Sequence, residues 1–248
     1  MANQDTNSKK FLKYSSIDRA LYQAVIEKRD LAKTRIALAN GANANLPLQI
    51  QYGCTMAQTS EQINAHTTIL HGIVSRASDS YRGDRLTNLK IIRLLLAHGA
   101  NPNQYDSGGR TVLMMAVESR CKYAPKIVKL LLQAGANVNA VCQCNVDDGK
   151  ACGNTVLSTA TGKSSDFRPN LKLEIIDLLL AHNVDITAGN GIINDLTCLK
   201  YPESNATEYI ETEYLIIGKL LAAGYKPTEY ETKQPELAQA LAYLDAKQ

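Results

Sequence analysis

The residues whose types and spacing best suit chemistry lie close together. Cys142, Cys144 and Cys152 fall in one polar stretch, Val-Cys-Gln-Cys-Asn-Val-Asp-Asp-Gly-Lys-Ala-Cys-Gly. Three thiolates in a short loop can hold zinc, with Cys121 or His182 as a fourth ligand. The spacing is not a paired Cys-x-x-Cys pattern, so the cysteines read first as free thiols. A metal site, or a Cys144–Cys152 disulfide in an oxidising compartment, stand as the alternatives. Asn145, Asp147, Asp148 and Gly149 offer oxygens of the kind calcium takes, but lack the full alternation and the closing Glu. Arg82-Gly83-Asp84 reads as a chance tripeptide.

The four histidines supply no obvious general base. His98 and His182 each stand one residue before the residue that ends a helix, a place that suits a basic side chain in a structural role. His66 reads as a loop residue. The chain has no glycine-rich phosphate loop, no His-Glu-x-x-His and no nucleophile elbow. The expectation is a non-enzymatic protein without a cofactor. A metal-binding or catalytic role for the insertion 142–152 is the competing reading.

Those residues hang on a repeated phrase. It reads Ile-Ala-Leu-Ala-Asn-Gly-Ala-Asn-Ala-Asn at 36–45, Leu-Leu-Leu-Ala-His-Gly-Ala-Asn-Pro-Asn at 94–103 and Leu-Leu-Leu-Gln-Ala-Gly-Ala-Asn-Val-Asn at 130–139. Leu-Leu-Leu-Ala-His-Asn-Val-Asp-Ile-Thr follows at 178–187, and a weaker copy at 220–228. A second pattern precedes the phrase: Thr68-Ile69-Leu70-His71, Thr111-Val112-Leu113-Met114 and Thr155-Val156-Leu157-Ser158, with residues 20–25 as its first copy. The threonine suits a helix N-cap. The apolar residues behind it, and those of the Leu-rich phrase, make the packing stripes of two short helices per unit. Gly41, Gly99, Gly135, Asn183 and Gly224 fall where each second helix must be left in a left-handed conformation. Asn45, Asn103 and Asn139 are expected to close Asx turns.

Together these patterns resemble the ankyrin repeat, with its Thr-Pro-Leu-His-x-Ala signature and period of about 33 residues. The resemblance implies an all-α solenoid of about five helix-turn-helix units with hairpin loops and a C-terminal capping helix. The proline of the signature is Ile69, Val112 or Val156 here, and its histidine survives only as His71. The intervals between helix-ending residues are 58, 36, 48 and 41 positions. The surplus is assigned to outward loops at about 46–66, 75–88, 140–153, 162–170 and 200–212.

The expected layout is a polar tail at 1–14 and an array at 15–228. Its units are placed at about 15–45, 66–103, 109–139, 153–187 and 191–228, with a closing helix in 229–248. Stacks of this kind bind protein partners through the hairpin tips and the concave face of the first helices, as the resemblance implies. By position that surface includes Gln104, Tyr105, Asp106, Met115, Glu118, Ser119, Thr159 and Lys163. The loop at 75–88 adds Arg76, Tyr81, Arg82 and Arg85, residue types enriched at binding hot spots.

Charge and hydropathy set the remaining bounds. In 248 residues, 27 Lys and Arg stand against 24 Asp and Glu. A net +3 is too balanced to argue for nucleic acid or an anionic membrane. The polar first residues carry no signal-peptide pattern, and no apolar run reaches the 18 or so residues of a bilayer span. A monomer in the cytoplasm is expected. Irregular inserted repeats of this sort also resemble ankyrin proteins that intracellular bacteria deliver into host cells, which would place it in the host cytoplasm.

Overall fold

The computed structural model describes residues 14–48, 67–78, 85–119, 121–144, 153–162, 169–188 and 206–247. Two helices open the chain. α1 (Ser16–Tyr22) runs into a π-helical turn over Gln23–Lys28, and α2 (Leu31–Ala39) follows. Ser15 caps α1 by accepting the Asp18 amide, and Asp30 caps α2 by accepting that of Lys33. Three similar pairs succeed them: α3 (Ile69–Ser78) with α4 (Arg85–Ala97), α5 (Val112–Val117) with α6 (Ala124–Gln133), and α7 (Val156–Thr161) with α8 (Pro169–Ala181). α9 (Ala206–Ala222), α10 (Glu229–Thr232) and α11 (Pro235–Asp245) complete the fold.

The capping threonines act as the sequence suggests. Thr111 accepts the Met114 amide, and Thr155 forms a reciprocal capping box with Ser158. At the other end of each second helix, the second residue past it turns left-handed. Gly99 has φ of 83°, and Asn183 takes the same place at 57°. The Ala100 amide then reaches back to Leu95, closing the last turn.

The π-helical turn after α1, then α3, α5 and α7, stack on one another in order, and so do outer helices α2, α4, α6 and α8. α9 packs on α8, and α11 packs on α9. One apolar core runs unbroken from Leu21 to Ala240. Its outer-helix rows are Leu95, Leu131, Leu179 and Leu220, all fully buried. Burying each contributes about 1.5–3 kcal/mol.

The hairpins between units are stapled by asparagine, in a way that differs from the expected turn. Asn43, Asn101 and Asn137 close the Asx turns, each accepting the amide two residues on. Asn45 and Asn103 reach into the next unit instead. The Asn45 carbonyl accepts the Asn101 amide at 2.7 Å and its amide donates to the Gly99 carbonyl at 3.0 Å. Asn103 repeats both bonds on Asn137 and Gly135. Asn139 keeps one, accepting the Asp185 amide at 2.7 Å. Thr187 turns back on its own Asp185. Between hairpin arms the described residues show only isolated bridges, such as Tyr105 with Thr111.

Two of the expected outward loops carry a turn or more of helix. α3 continues to Ser78 and α4 begins at Arg85, so both ends of 75–88 are helical. Residues 206–212, assigned to a loop, form the first turns of α9. In both cases the helix extends beyond the length of the repeat template, because the local sequence has no breaker there.

Candidate functional site

The hairpin between the second and third units carries a connected set of polar contacts. Asp106 organises the hairpin. Its carboxylate accepts the Gly108 and Arg110 amides at 2.9 and 2.8 Å and the Arg110 guanidinium at 3.3 Å. Its side chain is only 9% exposed. Arg110 then spans to Glu118, just past the end of α5, at 3.5 Å. The Glu118 side chain remains 56% exposed. Tyr105 and Gln104 are half-buried on the same hairpin, and Met115 is half-buried on α5. The tip therefore presents a phenol, a forked guanidinium and an open carboxylate on a framework held by backbone bonds.

His71 sits beneath this hairpin. It is buried, and its Nδ1 accepts the Thr68 amide at 3.2 Å, which places the ring proton on Nε2. Burial holds its pKa below the ordinary histidine range; the Asp106 carboxylate and the backbone at Arg110 and Gln104 oppose this in part. The imidazole is neutral at pH 7 and structural.

The third insertion leans on the same tip. The Gln143 amide donates to the Gly109 carbonyl at 2.8 Å. Gly109 has φ of 73°, and a Cβ there would fall 2.3 Å from the Cys144 nitrogen. Only glycine admits so close a backbone.

Several sequence-assigned residues are placed elsewhere. Ser119 is buried, its hydroxyl accepting the Cys121 amide at 3.3 Å, so it is corrected from a contact residue to a turn residue. α5 ends one turn after Met114, which folds Ser119 inward. The Asp106 carboxylate is occupied by its own hairpin, and the Thr159 hydroxyl donates to the Thr155 carbonyl at 2.8 Å. Arg76 is half-buried on α3. Its charge faces Tyr22, whose phenol is pushed up by burial and by Glu27 and pulled back by Arg76. Tyr81, Arg82 and Lys163 lie outside the described residues, as does the side chain of Arg85. Arg110 was missed, although its spacing from Asp106 and Glu118 was visible.

The cysteines also differ from the first reading. Cys121 and Cys142 are buried free thiols. Cys144 is disulfide-bonded, which overturns the free-thiol expectation there. The Cys142 Sγ lies 3.0 Å from the Cys144 Sγ. A sulfur held in a disulfide offers no thiolate to zinc. Among the described residues no group of three His, Cys, Asp or Glu side chains is arranged to hold a metal.

Stacked helix pairs joined by stapled hairpins, with a polar and aromatic inner edge, define a helical-repeat protein. A family model of ankyrin repeats, in three copies, matches residues 21–142 and again 87–190. The chain belongs to the ankyrin-repeat family. Ankyrin repeats generally mediate protein–protein interaction, and the family is typically non-enzymatic. No curated protein matches the chain. Among the described residues, no helix is long and apolar enough to cross a membrane.

Proposed function

We propose that this protein is a non-enzymatic scaffold that grips a protein partner on the inner face of its second to fourth units. One observation carries the reading: the Asp106–Arg110–Glu118 fork beside Tyr105 and Met115. It is preorganised by backbone bonds, so little conformational entropy is lost when a partner docks. Tyr and Arg are the side chains that most often dominate such interfaces. Gln104 and Thr159 extend the surface along the stack, and Arg76 with Tyr22 extends it toward the first unit.

The reading includes a monomer working in the cytoplasm, its own cell's or that of a host into which a bacterium delivers it. The buried thiols Cys121 and Cys142 suit a reducing compartment, whereas the disulfide at Cys144 suits an oxidising one. Thiol counting on protein taken directly from cells decides between them.

The interaction is tested by proximity labelling with the wild-type chain and with Tyr105→Ala/Glu118→Arg, both folded by circular dichroism. The double substitution is expected to lose the partners that the wild type labels. An unchanged partner set overturns the inner-face assignment.

A further inference from the structure

The near-neutral total charge conceals a division along the outer helices. α2, α4 and α6 contain Lys and Arg but no Asp or Glu. Counting back six positions from the residue that ends each outer helix gives Arg35, Arg93, Lys129 and then Asp177. Counting back nine gives Lys90, Lys126 and then Glu174. All of these side chains are exposed. The stack fixes neighbouring outer helices side by side, so equivalent positions form rows across it. The first row is basic through the third unit; the second begins at Ala32 and is basic in the second and third units, and both turn acidic at the fourth.

Lys33 in the first unit pairs with Asp30 at 3.7 Å, but the row cations of the second and third units have no such partner among the described residues. None of Lys90, Arg93, Lys126 and Lys129 pairs with a carboxylate among the described residues, whereas Asp177 pairs with Lys219 at 2.6 Å. Lys122 and Lys126 flank the Tyr123 ring, at 5.2 and 5.5 Å from its centroid. Cations recur about 5–6 Å apart along each helix and about 8–10 Å apart between helices.

We propose that the outer face of the first three units is a second interaction surface, and that its ligand is an acidic segment of a protein partner. Charge complementarity selects the sign of the ligand, and the reversal at Glu174 and Asp177 limits its extent. A bilayer broad enough to cover this face would press its anionic headgroups onto those two carboxylates, and a long nucleic acid following the rows would meet them as well. A short acidic segment stops before them. Carboxylates on one face of an acidic helix recur at the same spacing as Lys90 with Arg93 and Lys126 with Lys129. This surface lies on the opposite helix layer from the inner-face site and does not depend on it.

The experiment measures binding of a short labelled glutamate-rich peptide to the full chain by fluorescence anisotropy, at physiological and at low salt. Lys126→Glu/Lys129→Glu and Lys90→Glu/Arg93→Glu, all exposed and remote from the core, are expected to weaken binding about tenfold or more each. Glu174→Lys/Asp177→Lys lengthens the basic rows and tightens binding. Tyr105→Ala/Glu118→Arg leaves it unchanged. The proposal is overturned if the charge-reversed variants bind the peptide as the wild type does, or if the inner-face variant loses binding equally. It is also overturned if phosphatidylserine vesicles or a short DNA duplex bind more tightly than the peptide.

Discussion

At the scale of single residues, His71 couples the fold to pH. Its folded pKa lies below the ordinary value near 6.5, chiefly through burial. The unfolded chain therefore takes up a proton that the folded chain resists. Stability from this group is full above about 6.5 and is lost as pH falls through the lowered folded value. Urea midpoints measured between pH 7.5 and 5 should fall on acidification, and His71→Gln should flatten that slope. The histidine was legible as a structural member of its repeat. What it faces was not, because Asp106 lies 35 positions away in a different unit. Asp106 was itself legible as a hairpin-tip residue and was read as a contact. Its carboxylate is filled by local amides that no side-chain pattern announces.

At the scale of elements, the contact between α8 and α9 shows what the repeat tolerates. Lys172 on α8 and Glu213 on α9 are both nearly buried, and their charged ends lie 3.9 Å apart. The ammonium also donates to the Thr161 carbonyl at 3.0 Å, tying α8 to the end of α7. Lys172→Met breaks this buried pair and the bond to Thr161, and should cost about 3–5 kcal/mol. Lys172→Met/Glu213→Leu should restore most of that loss, as measured by urea titration; failure to restore would show that the helices are joined some other way. Helix positions, caps and left-handed exits were readable because each rests on contacts within one unit. This ion pair was hidden because it spans two units whose spacing departs from the repeat period. The basic outer helices went unread for a different reason. A single net charge averages the rows, and the acids of α8 and α9 cancel them on paper.

At the scale of the whole molecule, the stack needs closed ends. α11 covers α9 through Leu237 and Ala240, both buried, and Leu244 lies so close to Gly218 that an added Cβ would meet it at 2.9 Å. A chain ending at Thr228 should melt about 5 °C or more lower and scatter light on heating, since its last unit is left with an apolar flank. Equal melting would mean that α11 is not a cap. The opposite end is less sheltered: Ile36 on α2 is 60% exposed and Ile17 on α1 39%. Among the described residues the staples also differ along the array, with two bonds at Asn45, two at Asn103, one at Asn139 and none from Thr187. Because every unit touches only its neighbours, such an array behaves as springs in series, and the softest joint yields first under load. When the molecule is pulled from its two ends, the doubly bonded hairpins at Asn45 and Asn103 would stay in register longer than the singly bonded one at Asn139. A partner tethered to the front units would then ride out a tug that opens the hairpin at Asn139.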